Sequence, residues 1–156
     1  MSDELSDFKR FLERRELAAR AYVCGDAKAL NAVVAHSGDV TFFGPQGDVV
    51  LGANEVWRSY ERDAPVFQRG SETRFEVLQL GASADLAYWV GFQHACVRLN
   101  GRDQPLTMKL RVSEVFRRDP EEGWKLVHRH ADAGPRTVPL SAAQERDADG
   151  QHQADA

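Results

Sequence analysis

Residues 111–132 read RVSEVFRRDPEEGWKLVHRHAD. Apolar and polar residues alternate on both sides of DPEEG, so the stretch predicts two β-strands around a short turn. Strict alternation places Arg111 and Ser113 on one face of the first strand. It places Trp124, Leu126, His128 and His130 on one face of the second. A polar cluster on a strand face calls for a partner or a ligand.

Working outward, the pattern predicts long strands over 73–80, 86–99, 106–118 and 124–131, with NGRD and DPEEG as turns. Gly91, inside the longest strand, predicts a bulge or bend. Upstream the period changes. Phe8, Phe11, Leu12, Ala19, Tyr22 and Val23 recur at helical spacing over 2–24, with charged residues opposite them. Gly25 suits the left-handed residue that ends this helix, and Asp26 suits the cap of a second helix running to about residue 35. Short strands at 40–43 and 49–51 flank the turn GPQGD. A third helix then carries Val56, Trp57, Tyr60 and Ala64 on one stripe and stops at Pro65. Helices first and a meander afterwards predict an α+β fold in which three helices cover one face of a single, strongly curved antiparallel sheet. The domain is expected over 1–134. Residues 135–156 lose aromatics and periodicity and read as a disordered polar tail.

A chain of 156 residues is sized for one domain with a real core. Its net charge of -4 argues against a sequence-independent grip on nucleic acid, which needs clustered Lys and Arg. Cys24 and Cys96 have no neighbours at zinc spacing, so neither a disulfide scaffold nor a structural metal is expected. The charged N-terminus and the lack of a long apolar run predict a cytoplasmic protein without a membrane partner. No Gly-rich phosphate loop follows a strand, and no cofactor is expected.

The hairpin resembles the closing hairpin of the NTF2-like superfamily, in particular its SnoaL-like and association-domain-like branch. There an Arg-bearing strand, a turn and W-K-x-V-H-x-H close the sheet. The segments AYVCGDAKALNAVV and DVTFFGPQGDVVLG and the helix near Asn54 occur in that family's order. The resemblance implies a cone between helices and sheet that holds a small molecule. It fixes a fold better than an activity, because this fold hosts isomerases, cyclases, dehydratases and proteins that only bind or assemble.

Candidates for lining that cone are Tyr22, Trp57, Tyr60, Ser113, His128 and either Tyr88 or Trp89, with Trp89 preferred. Arg111 facing inward needs an anion or carbonyl to meet its fork of donors, or an internal acid such as Glu55, Glu61, Asp63 or Asp132. His128 and His130 on one face stand about 6 to 7 Å apart, near enough to act on one ligand. Asp132 is placed to orient His130. Each imidazole also has a bland role, satisfying a neighbouring acid or carbonyl. Adding His94 would make a three-imidazole metal site, but that register is unsupported and no metal is expected.

Ketosteroid isomerases of the superfamily pair a carboxylate base with a tyrosine and a protonated aspartic acid. This chain departs from that set. The turn after the first short strand offers Gly44 and no acid where the base is expected, Leu17 stands at the tyrosine position, and Arg111 at that of the aspartic acid. The enzymatic expectation is therefore proton transfer on a carbonyl-bearing or anionic compound, as in an isomerase, cyclase or dehydratase, with His130, Asp132 and Arg111 as catalytic groups. The alternative is a non-catalytic homodimeric binding or assembly module. Leu106, Met108, Leu110, Val112 and Phe116, opposite Arg111, form the apolar row expected to pair two sheets back to back, unless inside and outside are exchanged and that row is the core.

Overall fold

Ser2 opens the first helix by accepting a hydrogen bond from the Leu5 amide at 3.2 Å, the expected N-cap role. The computed structural model describes residues 2–134, and the expected tail at 135–156 lies outside the described residues. Helix α1 (Asp3–Tyr22) ends just before Gly25, whose φ of 100° is the left-handed geometry glycine adopts without a steric penalty. Asp26 Oδ1 accepts from the Lys28 amide at 2.9 Å and starts α2 (Lys28–Val33). Strands β1 (Thr41–Phe43) and β2 (Val49–Leu51) form a hairpin, and α3 (Ala53–Asp63) passes into a 3-10 turn (Ala64–Val66) containing Pro65. The long strands follow: β3 (Glu72–Ala82), β4 (Leu86–Val97), β5 (Leu106–Asp119) and β6 (Gly123–Asp132).

All six strands form one curved, unclosed sheet in the order β2-β1-β6-β5-β4-β3, with the helices packed on one face. The fold is α+β, as expected. One pairing differs from an all-antiparallel sheet, because β1 runs parallel to β6, with Thr41 beside His128 and Phe43 beside His130. β2, α3 and three long strands lie between β1 and β6 in sequence, so no tight hairpin forces antiparallel pairing there.

Two irregularities decide which residues face the helices. On β3, Leu78 is skipped in the pairing with β4, directly beside the Val77 to Gly91 pair. A Cβ on Gly91 would stand 2.0 Å from the Glu76 carbonyl oxygen, so glycine is what admits this bulge. On β6, Val115 pairs with His128 but Phe116 pairs with Leu126. Val127 has no opposite number. One extra residue inverts the side-chain alternation beyond it: Trp124 and Leu126 are buried before the bulge, Arg129 and Ala131 after it.

This corrects two expectations. His128 and His130 do not share a face with Trp124 and Leu126, and Arg111 does not face the helices. On β5 the inward residues are Leu110, Val112, Glu114 and Phe116, so the row assigned to a dimer contact is core. The exchanged reading of that strand is the correct one. Phe116 lies 5.2 Å from Phe8 and 5.3 Å from Phe11, and Trp124 lies 5.6 Å from Phe8. This aromatic cluster closes one end of the space between α1 and the sheet. The other end, near Tyr22, stays open.

Candidate ligand-binding site

A cavity of about 350 Å³ occupies the open end, lined by α1, α3, the β1–β2 turn and the inner faces of β4, β5 and β6. Its walls are largely apolar. Tyr22 and Tyr60 meet edge to face at 5.6 Å, Tyr22 packs on Phe67 at 5.3 Å and Phe42 on Tyr60 at 5.6 Å. Leu30, Met108 and Leu110 complete the apolar surface.

The polar part is an ionic network, most of it hidden from solvent. Glu114, with 0% exposure, accepts from Arg15 Nη2 at 2.7 Å and from Arg129 Nη1 at 2.8 Å on one oxygen. Its other oxygen accepts from Trp89 Nε1 at 2.7 Å. Arg129 Nη2 donates to Gln93 Oε1 at 2.5 Å, and Gln93 Nε2 donates to Thr73 Oγ1 at 3.0 Å. Burial alone would raise the Glu114 pKa, but the charges of Arg15 and Arg129 outweigh it and hold the carboxyl below its ordinary range.

Two guanidinium groups thus face one buried carboxylate, one positive charge in excess within this network, while the exposed carboxylates of Asp48 and Asp63 line the mouth of the same cavity. Arg15 and Arg129 both line it. Among the described residues, Arg15 Nε and Nη1 and the buried Tyr60 hydroxyl have no hydrogen-bond partner. Burial raises the Tyr60 pKa, against the lowering effect of Arg129 and Arg15, so at neutral pH the phenol remains a donor.

Of the residues expected from the sequence to bind the ligand or act on it, Tyr22 and Tyr60 line the cone. Trp89 lies beneath its floor, completely buried, as the donor to Glu114. Trp57 turns away into a groove with Asn31, its ring 4.7 Å from that of His36 and tilted 59° to it. Arg111, Ser113, His128, His130 and Asp132 are on the outer face of the sheet. Three of them meet there: Arg111 Nε donates to Asp132 Oδ1 at 2.6 Å, and Asp132 Oδ2 lies 3.1 Å from His130 Nε2. Arg111 holds the Asp132 carboxyl below its usual range. The Arg111 side chain is 60% exposed, so the internal acid the sequence pointed to is present, but outside the cone. His128 Nδ1 is 2.6 Å from Thr41 Oγ1. His94 pairs instead with Glu76 at 3.0 Å, and no group of three candidate metal ligands occurs among the described residues.

Sequence reading missed Arg15, Gln93, Glu114 and Arg129. A signal for two of them existed. Arg15 sits seven residues from both Phe8 and Tyr22, on the buried stripe of α1, and Glu114 interrupts the apolar alternation Leu110, Val112, Phe116. Arg129 had no local signal, because its direction depends on the Val127 bulge.

A helix-roofed cone on a single curved sheet is the architecture of NTF2-like proteins. A solved NTF2-like superfamily protein from Salmonella enterica superposes with a TM-score of 0.72 at 15% identity, covering 86% of this chain and 93% of its own. A candidate dehydratase of the NTF2-like family from Streptomyces avermitilis gives 0.69 at 21% identity, covering 84% and 98%. The CaMKII hub of S. rosetta gives 0.62 at 21%, covering 86% and 98%. At such identities the likeness is one of fold. The family model for the SnoaL-like domain matches residues 15–132, and the chain belongs to the SnoaL-like family. A search among curated proteins returned no match.

Proposed function

We propose that this protein binds a small anionic compound, a carboxylate with an apolar body, in the cone. The observation that carries this reading is the excess positive charge of Arg15 and Arg129 over Glu114, beside an apolar cavity and an unpartnered Tyr60 hydroxyl. A buried charge without a counterion is costly, and a ligand carboxylate supplies the counterion. Chemistry open to such a site is proton transfer next to a carbonyl, the step shared by isomerases, cyclases and dehydratases. The solved candidate dehydratase of the same fold is in keeping with this.

The test is thermal denaturation and calorimetry with a panel of carboxylates from acetate to phenylpyruvate, beside the matching primary amides. Carboxylates stabilise the protein, amides do not, and Arg129→Met abolishes the effect. Equal response to acids and amides would refute the anion reading.

A second reading, self-association, has its own support. The outer sheet face carries Tyr88 opposite Val115, Val90 opposite Ser113, and Phe92 opposite Arg111, with Phe43 beside His130. Tyr88 is 40% exposed and Phe43 37%. Apolar groups at the centre of an uncovered sheet suit a second copy packed back to back. Light scattering at micromolar concentration gives a dimer, and Val115→Glu gives a monomer; a monomeric wild-type chain removes this reading.

A further inference from the structure

We propose that the outer face of the sheet carries a second site, where His130, oriented by Asp132, activates a water molecule to hydrolyse a small uncharged carboxylic ester. Arg111 meets the negative charge that forms on the carbonyl oxygen. This site is separate from the cone and does not depend on anion binding there.

A cavity of about 420 Å³ lies where the end of β6 meets the β1–β2 turn, lined by Phe43, Pro45, Asp48, Arg111, His130 and Asp132. Asp132 is its pivot. Oδ1 accepts from Arg111 Nε at 2.6 Å and from the Gly134 amide at 3.0 Å, and Oδ2 lies 3.1 Å from His130 Nε2. Arg111, and the Gly134 amide with it, hold the carboxyl below its usual range, so at neutral pH it stays ionised. A simple surface ion pair joins two side chains and fixes little. Here one carboxylate has three partners on three different residues, and the His130 ring is further restrained by an edge contact with Phe43 at 5.7 Å.

That arrangement assigns the parts. An ionised carboxylate only accepts, so His130 Nε2 carries its hydrogen toward Asp132 and Nδ1 keeps a lone pair, which makes it the basic atom. Arg111 bonds through Nε alone; its Nη groups donate to nothing among the described residues. A base oriented by an acid, beside an unengaged guanidinium in one cavity, is what water activation and oxyanion stabilisation require. Phe43 supplies an apolar wall, and the exposed Asp48 carboxylate at the rim disfavours a negatively charged substrate.

The step needs only ester and water. His130 Nδ1 takes a proton from water while the water oxygen bonds to the ester carbonyl carbon, and the carbonyl π pair moves to oxygen, facing the Arg111 Nη groups. When that π bond re-forms, the bond to the alcohol oxygen breaks, and the imidazolium returns its proton to the leaving alcohol. Asp132 is a positioning residue that stays ionised throughout and supports the imidazolium.

4-Nitrophenyl acetate is the probe, with nitrophenolate release followed by absorbance and folding of each variant checked by urea denaturation. The wild-type chain shows saturable hydrolysis, faster than free imidazole at equal concentration and slower in D2O than in H2O. His130→Gln lowers kcat/KM by about 10²-fold, the lower end for a positioned base, and Arg111→Met by about 10²-fold, as for loss of one oxyanion donor. Asp132→Asn lowers kcat with KM retained, and Asp132→Glu recovers part of it. His36→Gln and His94→Gln, which alter imidazoles outside this cavity, leave the rate unchanged. A rate unaltered in His130→Gln, or lowered equally by His36→Gln or His94→Gln, would overturn the assignment. So would equal rates in H2O and D2O, which mean direct attack by imidazole, or no hydrolysis above buffer. None of these results bears on carboxylate binding in the cone.

Discussion

Arg129 Nη1 lies 2.8 Å from Glu114 Oε2, one strand away, and it points there because Val127 has no partner on β5. With unbroken pairing, His128 and His130 would face the helices and Arg129 would face outward. A single unpaired residue thus sets the charge of the cone.

Removing the carboxylate leaves two buried guanidinium groups without a counterion. Glu114→Gln is expected to destabilise the protein by about 3–5 kcal/mol, the usual loss when a buried pair is broken. Urea denaturation measures it. The double variant Glu114→Gln, Arg129→Met is less destabilised than the sum of its parts, because each change relieves the other.

The same pair sets the acid limb of stability. Because the folded-state pKa of Glu114 is lowered, its contribution is complete above the unfolded value of about 4.3. It is lost as pH falls through the lower folded value, where the folded state must also take up the proton. Urea midpoints measured from pH 6 downward fall less steeply in Glu114→Gln than in wild type.

Gly91→Ala sets a methyl group against backbone, with 2.0 Å to the Glu76 carbonyl oxygen, where no side chain can move aside. The bulge on β3 must then open. A loss of about 1–3 kcal/mol, the range for overpacking, is expected by urea denaturation, against no comparable loss for Gly101→Ala corrected for its left-handed backbone.

His128 on the outer face has its pKa lowered by burial and by the neighbouring charge of His130. The imidazole is neutral at pH 7. As pH falls below the unfolded value of about 6.5, the unfolded chain takes up the proton first and stability declines. At still lower pH the folded imidazole charges. If two sheets pack through this face, sedimentation velocity shows the dimer dissociating over that interval, and His128→Gln shifts the dissociation to lower pH.

Helix and strand positions were legible because they rest on local rules. The stripe of α1, the Gly25 and Asp26 punctuation and the turn DPEEG each act within a few residues of themselves. Arg15 and Glu114 were legible in principle, since a charged residue inside an apolar period is a buried charge awaiting a partner. Tyr22 and Tyr60 were found through the helical stripes that carry them. Asp48 at the mouth of the cavity was hidden for a different reason, since only the folded hairpin lays its carboxylate over the α-carbon of Gly44.

The amino-acid order alone determined the α+β class, the number and sequence of the elements, and the apolar faces of the helices, because period, caps and turns are short-range properties. The direction of side chains beyond residue 127 was decided in three dimensions. Whether a strand carries a bulge depends on how its neighbour pairs with it. That pairing exchanged the expected imidazoles for Arg129 at the floor of the cone.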